Sequence, residues 1–139
     1  MTNKYHNIPN VSIETALEAV RQALNIGESI GVKVSVTVVD HSMNLIAFGK
    51  ADGATPHSTE TSLKKANTAV STGKATGWMS SELAVTLPLA TNNKLTNVGG
   101  GIPIKFEGKL VGGLGIAGGS VEQDTNVASK TAQAIESEV

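Results

Sequence analysis

The segment that decides the fold is Asn97–Asp124, NVGGGIPIKFEGKLVGGLGIAGGSVEQD. It reads as a glycine loop, a strand over 102–106, a tight turn at Glu107 and Gly108, a second strand over 109–117 and a helix start at Ser120. Two strands joined by so short a turn pair as an antiparallel hairpin. Pro103 has no N–H, so its strand belongs at a sheet edge, a strand end or a bulge. Ser120 with Gln123 three residues on fits a capping box. Nine of the fifteen glycines lie between Gly99 and Gly119. Ordered glycine costs backbone entropy, so this density calls for positive φ or for close approach to another backbone or a ligand.

Upstream, Ser12 is a candidate N-cap for a helix over about 13–30, where Ile13, Ala16, Leu17, Val20 and Leu24 repeat at helical spacing and Gly31 marks the stop. Val32, Val34, Val36 and Val38 alternate with Lys33, Ser35 and Thr37, which predicts a half-buried strand. A polar turn over 40–44 and the apolar run from Leu45 to Phe48 make its hairpin partner. Thr55 and Pro56 read as an N-cap and first helical position. The helix that follows is built almost wholly of Ser, Thr, Ala, Asn and Lys, and its small residues predict close packing on a neighbour. Ser80 or Ser81 caps a short helix expected to stop before Pro88. Downstream of Ser120, Val127, Ala128, Thr131, Ala132 and Ile135 share one helical face. Paired hairpins separated by helices predict a single α+β domain with an antiparallel sheet, over residues 1–139 with a mobile tail at 1–10.

The chain of 139 residues carries a net charge of -1, so it has no basic field for nucleic acid. One Trp, one Tyr and two Phe supply no base-stacking platform. There is no cysteine, which excludes disulfides and thiolate chemistry. The amino terminus lacks an apolar signal core, and no run approaches the ~20 apolar residues of a membrane span. These features predict a soluble, cytoplasmic protein with no membrane partner.

Gly113, Gly115 and Gly118 match G-x-G-x-x-G, but no strand is read after the next helix, so tight packing rather than a dinucleotide-binding unit is the expectation. Gly118, Gly119 and Ser120 open a helix N-terminus, where free N–H groups and the dipole favour an anion or plain capping. Of the three histidines, His57 begins a helix beside a glycine-containing loop and is the best candidate for a ligand or proton carrier; His6 lies in the tail and His41 in a turn. Glu60 and Lys64 are spaced for a weak surface ion pair. Lys65 points to a different side, where it could reach a pocket as a cation for a carboxylate. No metal-binding spacing and no nucleophile elbow is present.

The residues that close the first strand at Asp40, the run Lys65-Ala66 with Thr68-Ala69, Gly99-Gly-Gly-Ile-Pro103-Ile, Glu107-Gly108, Gly113-Leu-Gly115-Ile-Ala-Gly118-Gly119 and Glu122-Gln-Asp124 together resemble the GlcG/HbpS family of haem-degrading or haem-binding domains. The carboxy-terminal domain of PduO-type cobalamin adenosyltransferases is related. The resemblance spans about Ser12 to Ile135. It implies a profilin-like fold, homo-oligomers built from dimers and, in some members, haem; other members sit beside enzymes of glycolate or diol catabolism. Related haem-binding domains use a first-helix histidine, and this chain has none between Ser12 and Gly31, so His57 or Met79 would have to serve. The expectation is a small-molecule-binding module, accessory or sensing in role, for haem or another planar or carboxylated ligand held by His57, Lys65, Gly99, Gly100, Gly101, Gly118, Gly119 and Ser120. The alternative is a catabolic isomerase, lyase or hydrolase for a small carboxylated metabolite, with His57, Lys65 and Asp124 as its catalytic residues.

Overall fold

The computed structural model describes residues 3–138. Its elements run α1 (Ile13–Ser29), β1 (Ser35–Asp40), β2 (Leu45–Lys50), α2 (Ser58–Thr72), α3 (Ser81–Ala90), β3 (Gly101–Phe106), β4 (Lys109–Ala117) and α4 (Val121–Ala134). The four strands form one antiparallel sheet in the order β2-β1-β4-β3. The expected α+β architecture is therefore present, with both hairpins in place. Pro103 sits on β3, an edge strand, as its missing N–H requires. Glu107 and Gly108 both have positive φ, the geometry of a two-residue hairpin turn. Of the tail expected at 1–10, Met1 and Thr2 lie outside the described residues; residues 3–10 are exposed and belong to no helix or strand.

The two sheet faces are chemically different. One carries Val34, Val36, Val38, Ile102, Ile104, Leu114 and Ile116 against α1 and α4, and this is the main core. The other lies under α2 and is lined by small residues. There Gly115 pairs with Thr37 on one side and Gly101 on the other. A Cβ at Gly115 would overlap the carbonyl oxygen of Ser62, one at Gly113 that of Ala66, and one at Gly101 that of Lys65. The α2 backbone thus rests directly on the sheet, which explains both the small-residue helix and the glycine strand. The G-x-G-x-x-G run is packing.

β1 departs from the half-buried expectation. Ser35 and Thr37 do not face water; they are buried under α2. Ser35 Oγ lies 2.7 Å from Ser58 Oγ and Thr37 Oγ1 lies 2.7 Å from Ser62 Oγ, so each buried hydroxyl is satisfied across the interface.

Two helix boundaries, at α2 and α3, differ from expectation, and the end of α1 does not. α2 begins at Ser58 with His57 as its N-cap, because Ser58 N donates to Thr55 O and closes a turn over Pro56. α3 is capped by Ser80 but runs through Pro88 to Ala90. The proline forfeits one bond near the helix end, while Thr91 N and Thr91 Oγ1 both donate to Leu87 O and close the last turn. α1 ends at Ser29, within the fraying expected of a terminus. Glu60 and Lys64 do not pair; among the described residues the ion pairs are Arg21–Glu18 and Lys65–Asp124.

The capping box at α4 is complete: Ser120 Oγ accepts from Gln123 N, and Gln123 Oε1 accepts from Ser120 N. Ser120→Ala is expected to cost about 1 kcal/mol of unfolding free energy, measured by urea denaturation.

Candidate functional site

His57, Thr61 and Lys65 are spaced i, i+4, i+8 and so share one face of α2. That face meets the end of β4 and the first turn of α4, enclosing a cavity of about 280 Å³. Thr55, His57 and Thr61 lie on one side, with Val98, Gly118, Gly119 and Val121 among the residues opposite; Lys65 and Asp124 also line it. Both are buried, at 1% and 3% exposure. Lys65 Nζ donates to Asp124 Oδ2 at 3.0 Å and to Ile116 O at 2.8 Å. Asp124 Oδ1 accepts from Gly119 N at 2.9 Å.

The glycine loop before β3 serves this pair. Gly100 has φ +123, and a Cβ there would meet Ile116 O at 2.6 Å, Lys65 Nζ at 2.9 Å and Asp124 Cβ at 3.0 Å. Only a residue without a side chain can lie over the pair in that conformation. Burial pushes the Lys65 ammonium below the usual lysine range, and the Asp124 carboxylate opposes that shift without cancelling it.

The structure brings His57, Lys65, Asp124, Gly118 and Gly119 to one cavity. It places the other expected site residues around it. Gly99 packs toward Val121 and Thr125, Gly100 covers the ion pair, and Gly101 lies under the Lys65 carbonyl. Ser120 caps α4. The N–H groups of Gly119 and Ser120 are taken by Asp124 and Gln123, so the chain's own side chains occupy the anion-favouring donors there. Asp124 likewise neutralises the Lys65 cation. His57 keeps an exposed imidazole at the cavity mouth. Met79 is buried and is not among the residues lining this cavity. His41 lies in the β1–β2 turn.

Thr61, Val98, Ala117 and Val121 line the cavity without having been expected there, and Thr55 was expected only as an N-cap. The four-residue spacing of His57, Thr61 and Lys65 could have shown Thr61. Nothing local marks Val98 or Val121.

These features define a small α+β domain in which a seam between α2, β4 and α4 holds a buried lysine–aspartate pair beside an exposed histidine. Residues 11–133 match the family model described as haem degrading protein HbpS-like, and the chain belongs to that family. The chain is 34% identical over 131 residues to the corrinoid adenosyltransferase PduO of Citrobacter freundii, covering 91% of this chain but 39% of PduO. It therefore spans well under half of that relative's length. Among solved structures it is similar to a PduOC–heme complex, with a TM-score of 0.86, 31% identity and coverage of 93% of this chain and 97% of that one. A double mutant of Streptomyces reticuli HbpS aligns with a TM-score of 0.85, 31% identity and coverage of 96% and 92%. No described helix is long and apolar enough to cross a membrane.

Proposed function

We propose that this chain is a small-molecule-binding module, accessory or sensing in role, that takes haem or another planar ligand at the His57 cavity. The carrying observation is an exposed imidazole at the mouth of a cavity with Ala117, Val98 and Val121 among its lining, in a chain of the HbpS-like family. Haem needs an apolar surface and an axial donor, and these residues supply both kinds of group. α1 carries no histidine, so on this chain His57 would be the residue to hold the haem iron. At about 280 Å³ the cavity lies just below the roughly 300–1,000 Å³ usual for ligand sites, so the exposed Val98 and Val121 at its rim would also have to hold a macrocycle. Bound haem would supply a redox-active iron and a strong chromophore. The protein's part is to orient the ring with His57 and to keep the Lys65–Asp124 floor neutral.

Haemin titration tests this reading. The expected result is a saturable shift of the Soret band with the unaltered protein and a loss of about tenfold or more in affinity with His57→Ala. An unshifted band at stoichiometric haemin contradicts the haem reading.

One observation favours a catalytic alternative. A lysine held below its usual range in a cavity is a recurring property of active sites. In that reading His57 moves a proton on a small carboxylated metabolite, with Lys65 and Asp124 fixing the local field. Turnover surviving in His57→Ala would remove this alternative. The homo-oligomer of dimers and the cytoplasmic location belong to the same proposal.

A further inference from the structure

Among the described residues Lys65 is the bulkiest side chain that is fully buried, and it forms part of the wall of the His57 cavity. Replacing a buried ion pair by apolar residues of similar volume is often neutral or stabilising. Stability alone therefore gives no reason for a lysine and an aspartate at this place. An ammonium group has three N–H donors. Two are spent, on Ile116 O and on Asp124 Oδ2. The third has no acceptor among the described residues. The amine is thus buried, short of one partner, and 3.0 Å from a carboxylate that can take its proton.

The cavity selects by size and by charge. At about 280 Å³ it takes in a small metabolite whole. The backbone donors of Gly119 and Ser120 are spent on Asp124 and Gln123, and the Lys65 cation is answered by Asp124. No spare donor at this end of the cavity is left for a carboxylate. Thr55 and Thr61 place short polar side chains in the same wall. That lining fits a short, uncharged, polar molecule. Burial favours the uncharged form of the amine, which is its nucleophilic form. The polar group with which a desolvated lysine amine reacts is a carbonyl.

We propose that Lys65 binds a short uncharged aldehyde or ketone covalently and reversibly, as a Schiff base formed inside the His57 cavity. This rests on the reading of that cavity as the ligand site and not on haem as the ligand. Asp124 Oδ2 takes a proton from the Lys65 ammonium. The freed lone pair of Nζ bonds to the carbonyl carbon, and one of the two remaining amine protons passes to the carbonyl oxygen, giving a carbinolamine. Asp124 returns its proton to the new hydroxyl group, which leaves as water while the nitrogen lone pair closes the C=N bond. The product is a protonated imine. One positive charge faces the Asp124 carboxylate before and after, so the step never leaves a buried carboxylate unpaired at its end points. Nothing is oxidised or reduced, and water is the one leaving group.

The test uses the whole, unaltered chain. It is incubated with propanal and cyanoborohydride at neutral pH, which reduces any imine to a stable propyl-lysine, and the labelled lysines are located by fragment-ion mass spectrometry. Lys64, the preceding residue on α2 and only partly buried, is the internal reference. Each unit by which an amine pKa falls raises its uncharged fraction about tenfold, so early labelling of Lys65 is expected to exceed that of Lys64 by at least about tenfold. Glyoxylate, an aldehyde that carries a carboxylate, is expected to lose that preference. Thr61→Phe fills the cavity and is expected to lower Lys65 labelling by about tenfold or more with Lys64 labelled as before; the Thr61 hydroxyl bonds only a carbonyl of its own helix, so little else is lost. Labelling of Lys64 without Lys65 overturns the inference. Lys65 labelling that survives Thr61→Phe overturns the cavity as its location, and an equal preference for Lys65 with glyoxylate overturns the uncharged ligand. None of these readouts uses haemin. A failed haemin titration with Lys65 labelled removes haem and leaves the carbonyl site, and a successful one with Lys65 unlabelled does the reverse.

Discussion

Gly115→Ala is expected to lower the unfolding free energy by at least about 3 kcal/mol, at or beyond the upper end of ordinary overpacking costs. The reason is geometric. The new methyl group would occupy the position of the Ser62 carbonyl oxygen, and both partners in the clash are backbone. A long side chain could swing away; a helix can relieve the overlap only by lifting off the sheet. Lifting α2 would part the Ser35–Ser58 and Thr37–Ser62 hydroxyl pairs and leave buried polar groups unsatisfied. For a domain whose whole stability is of order 5–15 kcal/mol, this is a large share. Gly108→Ala is the control. It has φ +73 and nothing within 4 Å of an added Cβ, so it bears only the left-handed backbone cost of about 1 kcal/mol. Urea denaturation of the two variants beside the unaltered protein checks the contrast. Equal losses would show that the glycine column does not set the helix–sheet distance.

The second large effect concerns the buried pair. Lys65→Met leaves the Asp124 carboxylate buried with Gly119 N as its remaining donor, and a loss of about 3–5 kcal/mol is expected. Replacing both members, Lys65→Met with Asp124→Leu, is expected to recover much of that loss, because no uncompensated charge then remains. If the double variant were no better than the single, the pair would be contributing more than mutual neutralisation.

The pH dependence follows from the same pair. Burial places the folded Lys65 pKa below its unfolded value of 10.5. Between those two values the unfolded chain binds more protons, so this group's contribution to stability rises with pH there. Below the lowered pKa the cost of burying the ammonium is fully present. The unaltered protein is therefore expected to gain stability relative to Lys65→Met as pH climbs through that window.

Much of the fold was legible because its signals are local. The Glu107–Gly108 turn, the capping box at Ser120 and the edge position of Pro103 each depend on residues within a few positions of one another. The second face of β1 was not legible. Alternating valine with serine and threonine reads as core and water, and only α2, 23 and 25 residues onward, shows that those hydroxyls have buried partners. Pro88 misled for a related reason: its effect depends on what closes the turn after it, and Thr91 does so.

The site followed the same division. His57, Lys65 and Asp124 could each be singled out by residue type and neighbourhood. Their grouping could not. Lys65 and Asp124 are 59 residues apart, and nothing in either segment announces that they neutralise each other. Glycine density located the site while misstating its reason. Gly100 is needed to cover an ion pair, and Gly113 and Gly115 to seat a helix; only Gly118 and Gly119 reach the cavity wall.

The most direct test is a haemin titration of ¹⁵N-labelled protein followed by amide resonances. Paramagnetic broadening centred on His57, Thr61, Gly118 and Val121 is the result expected. Broadening centred instead on the larger groove of about 590 Å³ between Leu24, Lys33 and Lys50, or no broadening at saturating haemin, would contradict it.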